Sequence, residues 1–261
     1  MIKNNYLFKL LKVLFWPIIF IIGQFLVKYI FVSAFNYSIK SDMTNEEFIN
    51  YMNTFDYSYR LDKFLGNYTL LMMITLFVVF IIFLLKEYKK YKRINNKFNI
   101  FIPILFGISV SLMFNIAVFN LNNLVHITNI FNKSSIPIYV QIICTGVLGP
   151  ILEELLFRGI VYNKLKSFNS SICSVILTSL IFGLLHFDMV NMLYAFFVSF
   201  ILIYLYDKYD NIMCPIIMHI SLNLTTILMI NIIIQNYIIF NLYLLVLSIF
   251  LFIITYRRST V

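Results

Sequence analysis

Charge is scarce in this chain: Asp, Glu, Lys and Arg make up 12% of 261 residues, about half the share carried by a water-soluble domain. That scarcity excludes an ordinary soluble fold. Glycine is limited to 7 residues and cysteine to 3. The cysteines, Cys144, Cys173 and Cys214, lie in or beside apolar runs with no CxxC spacing, which excludes a disulfide framework and a thiolate metal site. No internal repeat and no low-complexity linker divides the chain, and an HExxH zinc signature is absent.

What fills the sequence instead is apolar: 61% of residues are hydrophobic and the mean hydropathy is +0.90. At about 20 apolar residues per crossing, the chain has length for about eight transmembrane helices and none to spare for a soluble domain. The expected fold is therefore an all-α polytopic helical bundle, a single membrane-embedded unit over residues 1–261. Spans are expected near 13–35, 67–85, 100–120, 138–161, 171–187, 190–206, 212–234 and 237–256.

The net charge of +9 raises nucleic acid as a partner, but the bases cluster at the ends of apolar segments. With the N-terminus inside, fourteen fall in cytoplasmic segments: Lys3, Lys9, Lys12, Lys86, Lys89, Lys90, Lys92, Arg93, Lys97, Lys164, Lys166, Lys208, Arg257 and Arg258. Only Lys40, Arg60, Lys63 and Lys133 fall outside, with Lys28 and Arg158 inside spans. This asymmetry places both termini in the cytoplasm. It reads as a rim facing anionic lipid, with no nucleic-acid partner.

Val32-Ser33-Ala34 resembles a signal-peptide cleavage site, yet the apolar stretch before it exceeds a usual signal core, so the expectation is an uncleaved helix. In the polar connection 36–67, Thr44-Asn45-Glu46-Glu47 has the pattern of a helix start. The wealth of Ile, Asn, Lys, Phe and Tyr suits an AT-rich coding sequence and a bacterial cell membrane.

Ionisable groups within a span cost roughly 2.5–3.5 kcal/mol each on insertion scales, so each is a candidate for function. Glu153, Glu154 and Arg158 occupy the fourth span. Glu154 and Arg158 are four apart and share a helix face, while Glu153 points about 100° away and has no partner on its own helix. A structural salt bridge beside one protonated glutamate accounts for these three; a general base at Glu153 is the functional alternative. His126 lies in an Asn-rich connection and reads as solvated. His186 ends Phe182-Gly183-Leu184-Leu185-His186, and His219 and Asn223 are four apart on one face of another apolar helix.

These residues form three ordered motifs, EExxxR at 153–158, FxxxH at 182–186 and HxxxN at 219–223, and the sequence thereby resembles the CPBP family of intramembrane proteases, also called the Abi or CAAX-protease family. The motif core covers roughly residues 140–230. The resemblance implies an endopeptidase in which Glu153 and His186 activate water, His219 and Asn223 stabilise the oxyanion, and Glu154 and Arg158 orient the site. A metal version would use Glu153, His186 and His219 as zinc ligands with an open position for water. Those ligands would have to converge from three helices, so no cofactor is favoured and zinc stands as the alternative. The implied partner is a peptide or membrane-protein substrate, in a bacterium more naturally a bacteriocin or signalling-peptide precursor or an immunity partner than a prenylated protein. The competing reading is a non-catalytic membrane protein that sequesters a peptide or regulates a sensor. A proton-coupled transporter would also explain intramembrane acids, but no inverted repeat supports it.

Depth poses one difficulty. Glu153 and His219 lie about 12 and 10 Å from the inner ends of their spans at 1.5 Å per residue, whereas His186 lies about 22 Å along a helix starting inside. Agreement requires this helix to start below the membrane or tilt strongly, and residues 187–191, with Asp188 and Asn191, to turn within the membrane around a wet cavity.

Overall fold

The structure, a computed structural model, describes residues 2–40, 43–91, 96–125, 136–186, 188–233 and 238–260, and no strand occurs among them. Backbone amides that cannot reach water must pair within their own segment, which leaves the helix as the form for these apolar runs. The described helices are α1 (Ile2–Lys40), α2 (Asn45–Met52), α3 (Phe55–Tyr88), α4 (Phe101–Val125), α5 (Ile138–Lys166), α6 (Ser171–Leu184), α7 (Met189–Tyr209), α8 (Met213–Leu228, running on through Met229–Ile233) and α9 (Ile238–Thr260).

Six of them, α1, α3, α4, α5, α7 and α8, are long and apolar enough to cross a membrane. The chain is an all-α polytopic bundle. The expected crossing at 171–187 needs correction. Ser170 caps the first turn of α6 by accepting from the Cys173 amide, and the helix ends at Leu184 after 14 residues. At 1.5 Å per residue that is about 21 Å, short of a hydrocarbon core of about 30 Å. The turn that follows carries His186. In the polar connection, Thr44 and Glu47 form a reciprocal capping box that starts α2.

Two packed groups position the site. The long helices α1 and α3 lie along each other and against α5, with Phe20, Phe80, Leu84, Leu152, Leu156 and Ile160 buried between them. On the other side α8 packs closely on α4, and α4 on α9. Gly107 of α4 sits so near α8 that an added Cβ would lie 2.4 Å from the Met218 carbonyl oxygen and 2.8 Å from the Leu222 nitrogen. Since Met218 immediately precedes His219, this contact sets the height and tilt of the histidine. Gly107→Ala is expected to destabilise the protein by about 1–3 kcal/mol through overpacking, read as a lowered Tm in detergent. An unchanged Tm would mean that α4 and α8 separate freely.

Gly183 plays the corresponding role where α6 meets α7. A Cβ there would stand 2.9 Å from the Met192 carbonyl oxygen and 3.2 Å from Phe196 Cβ.

Candidate active site

The site is built around α5, which departs from α-helical winding twice, in π turns over Ile142–Leu148 and Phe157–Tyr162. Between them lies the short α-helical segment Gly149–Leu156 that carries both glutamates. Single π turns inside α-helices often mark functional sites, and here a side-chain amide serves carbonyls at each. The Gly149 amide donates to the Cys144 carbonyl, a five-residue step. The Thr145 carbonyl would next take the amide of residue 150, but that residue is Pro150, which has no N–H. Asn223 of α8 supplies the missing donor, its Nδ2 reaching Thr145 O at 2.7 Å. In the second π turn the Asn163 side-chain amide lies within 3.0 Å of the Arg158 and Gly159 carbonyls, and within 2.8 Å of the Tyr206 hydroxyl. Buried backbone carbonyls are thereby paired by side chains where the ladder widens.

The two acids meet different surroundings. Glu154 is fully buried, and its Oε1 accepts from Arg158 Nη1 at 2.8 Å and faces His219 Nδ1, also at 2.8 Å. Arg158, equally buried, donates from Nη2 to Ser199 Oγ of α7 at 2.9 Å and lays its guanidinium 4.6 Å from the Phe182 ring centroid. Glu154 Oε2 and Arg158 Nε have no partner among the described residues. Glu153, by contrast, keeps 27% of its side chain exposed, and its Oε2 stands 3.8 Å from His219 Nε2.

His219 is thus held between the acids: Nδ1 against Glu154, Nε2 toward Glu153. A carboxylate on one ring nitrogen fixes the ring's orientation and tautomer. Phe182, the first residue of the second motif, is 2% exposed and touches both imidazoles, edge-on to His186 at 5.1 Å and to His219 at 6.0 Å between ring centroids. His186 has its own Nδ1 tied to the Phe182 carbonyl at 3.0 Å, which leaves Nε2 free. Both histidines therefore present the same nitrogen.

Glu153 and His186 line one cavity of about 180 Å³, closed by Phe157 and Phe182, by Leu185 of the turn, and by Phe20, Ile21 and Gln24 of α1. That volume holds several waters at roughly 30 Å³ each. The structure brings Glu153, Glu154, Arg158, His186 and His219 together. Asn223 gives one of its two amide N–H groups to the Thr145 carbonyl and keeps the other. Asp188 uses its carboxylate to cap α7, accepting from the Val190 and Asn191 amides. Neither Asp188 nor Asn191 lines the cavity that holds Glu153. His126 lies outside the described residues.

A zinc ion was the alternative use of Glu153, His186 and His219. Two imidazole Nε2 atoms and a carboxylate suit zinc chemically, yet among the described residues no three His, Cys, Asp or Glu side chains converge closely enough to hold a metal. As they stand, these donors do not fit a metal, and no step below uses one.

Residues 135–225 match the family model described as "Type II CAAX prenyl endopeptidase Rce1-like". That segment holds all three motifs. A stretch of 90 residues is 31% identical to the "Putative membrane peptidase YdiL" of Bacillus subtilis (strain 168). Over this segment the chain is similar to the CAAX-protease, or CPBP, family. The match with the Bacillus protein covers 34% of this chain and 37% of that protein, so the chain spans little more than a third of the relative it matches. No solved structure matches.

The matched segment leaves out α1, and with it a wall of the cavity. Gln24 is the group that motif reasoning missed: a lone amide within an apolar run, one turn from Phe20 and Ile21 on the face turned toward Glu153. Its signal was the same one that singled out the acids, a polar side chain where hydrocarbon is expected.

Proposed function

We propose that the chain is an intramembrane endopeptidase that hydrolyses a peptide bond in a membrane-associated peptide or protein without a metal ion. The observation that carries this reading is the shared cavity of Glu153 and His186, with His219 Nε2 facing Glu153 from the other side. Glu153 takes a proton from a water held by His186 Nε2, and the resulting hydroxide adds to the scissile carbonyl carbon. With Nδ1–H on Glu154, His219 donates to the oxyanion from Nε2 as the imidazolium, and the remaining N–H of Asn223 is the second donor. Collapse breaks the C–N bond as Glu153 returns its proton to the leaving amine. Glu154 and Arg158 position His219 and do not touch the substrate.

The cytoplasmic rim of lysines supports both termini inside, and a bacterial peptide precursor or immunity partner is the substrate class we favour. The test compares cells expressing the wild-type chain or its Glu153→Gln variant for new peptide termini in membrane and secreted fractions. Termini dependent on Glu153 are expected, and identical sets would leave a non-catalytic binding protein.

Gln24 sits where an extended substrate strand would lie against α1, and its amide can pair with one exposed backbone group of that strand. Gln24→Leu is expected to lower kcat/KM about tenfold, the worth of one hydrogen bond to a desolvated group, mostly through KM. A variant as active as wild type would place the substrate elsewhere.

A further inference from the structure

A second cavity lies apart from the one beside Glu153. A space of about 760 Å³ opens where the start of α1, the end of α3 and the end of α5 meet. Its floor is aromatic and aliphatic, including Phe8, Phe15, Trp16 and Phe168, and its rim carries Lys9, Lys12, Lys90 and Lys164 against one acid, Glu87. Glu87 is already committed, to Lys90 at 2.5 Å and to Lys164 at 3.1 Å. Lys9 and Lys12 make no ion pair among the described residues and rest over the rings of Phe168 and Phe8, at 5.6 and 4.3 Å from their centroids. The cavity thus joins two uncompensated ammonium groups to an apolar channel, at the end of the bundle richest in basic residues.

We propose that this cavity binds one anionic phospholipid, its phosphate between Lys9 and Lys12 and an acyl chain along Phe15 and Trp16. Charge complementarity selects the occupant: a neutral or zwitterionic lipid would satisfy the floor and leave the two lysines uncompensated, whereas a free anion would satisfy the lysines and leave the floor bare. Basic pockets between helices at the cytoplasmic side are known to take anionic head groups, each Lys contributing roughly 1 kcal/mol. Because α1 also walls the Glu153 cavity through Phe20, Ile21 and Gln24, a lipid that fastens the start of α1 to α3 and α5 also steadies that wall.

The experiment is native mass spectrometry of the full-length protein released from detergent with equimolar phosphatidylglycerol and phosphatidylcholine. One phosphatidylglycerol is expected to be retained selectively. The Lys9→Gln/Lys12→Gln double variant is expected to weaken retention about thirtyfold, two lysines at roughly 1 kcal/mol each, and the Lys9→Arg/Lys12→Arg variant to preserve it. These exposed side chains hold no buried contact, and a circular dichroism melt matching wild type verifies the fold. Equal retention of phosphatidylcholine would overturn the proposal in favour of an apolar groove. Displacement of phosphatidylglycerol by glycerol 3-phosphate at matched concentration would overturn it in favour of a simple anion site. Unaltered retention by the glutamine variant would move the lipid elsewhere. None of these readings depends on proteolysis.

Discussion

Cleavage is expected to disappear in Glu153→Gln while the protein remains folded and inserted. Glutamine preserves the size of the side chain and its capacity to hydrogen-bond, and removes only the ability to accept a proton. Loss of a general base costs typically 10²–10⁴ in rate, and here the same group returns the proton to the leaving amine, so the upper end of that range is expected in kcat. Thermal unfolding should be unchanged or slightly improved, since an amide is cheaper to desolvate than a carboxylate. His186→Ala and His219→Ala are expected to fall by similar factors, and His126→Ala to be close to silent. Full processing by Glu153→Gln would end the protease reading. A chelator should leave the wild-type rate intact; loss restored by stoichiometric zinc would keep the protease and overturn the metal-free mechanism.

Arg158→Leu is expected to be the most damaging single substitution for stability, by about 3–5 kcal/mol. The guanidinium is fully buried and is the cationic partner of an equally buried Glu154, so removing it strands a carboxylate against His219 in low dielectric. The same change releases Ser199 of α7 and uncovers the face of Phe182. Arg158→Lys should recover part of the loss, since an ammonium restores the charge but cannot span Glu154 and Ser199 with one planar fork. The double variant Arg158→Leu/Glu154→Leu should regain more stability than either single change while remaining inactive. Thermal melts in detergent read all three, and a wild-type Tm for Arg158→Leu would show that the pair is dispensable to the fold.

Helix periodicity made part of this site legible in advance. Glu154 and Arg158 are four apart, so their pairing needs no tertiary knowledge, and the divergence of Glu153 follows from the same geometry. Helical architecture was equally plain, because uncharged apolar runs of this length have few other stable forms. What escaped was everything that depends on where one helix meets another. His219 Nδ1 reaching Glu154 joins residues 65 apart in sequence, and no local pattern encodes it. The π turns depend on carbonyls that Asn223 and Asn163 are placed to satisfy, and their sequence trace is slight: Pro150 withdraws an amide one turn ahead of the glutamates. The length of α6 was overestimated because its apolar character continues past the point where its backbone stops. Gln24 was passed over because it lies on α1, far in sequence from the motifs it faces.

The winding of α5 has a consequence for how the bundle is made. Among the six long apolar helices it is the least hydrophobic, and Glu153, Glu154 and Arg158 within its apolar stretch each oppose entry into lipid. The Glu154–Arg158 bond lies within one turn, so this pair is neutralised within α5 itself. The remaining partners are synthesised afterwards in fixed order, Phe182 on α6, Ser199 on α7 and His219 on α8. The contacts that bury these groups in the finished bundle come from α6, α7 and α8, so the place of α5 in a bilayer rests on its neighbours as well as on its own hydrophobicity.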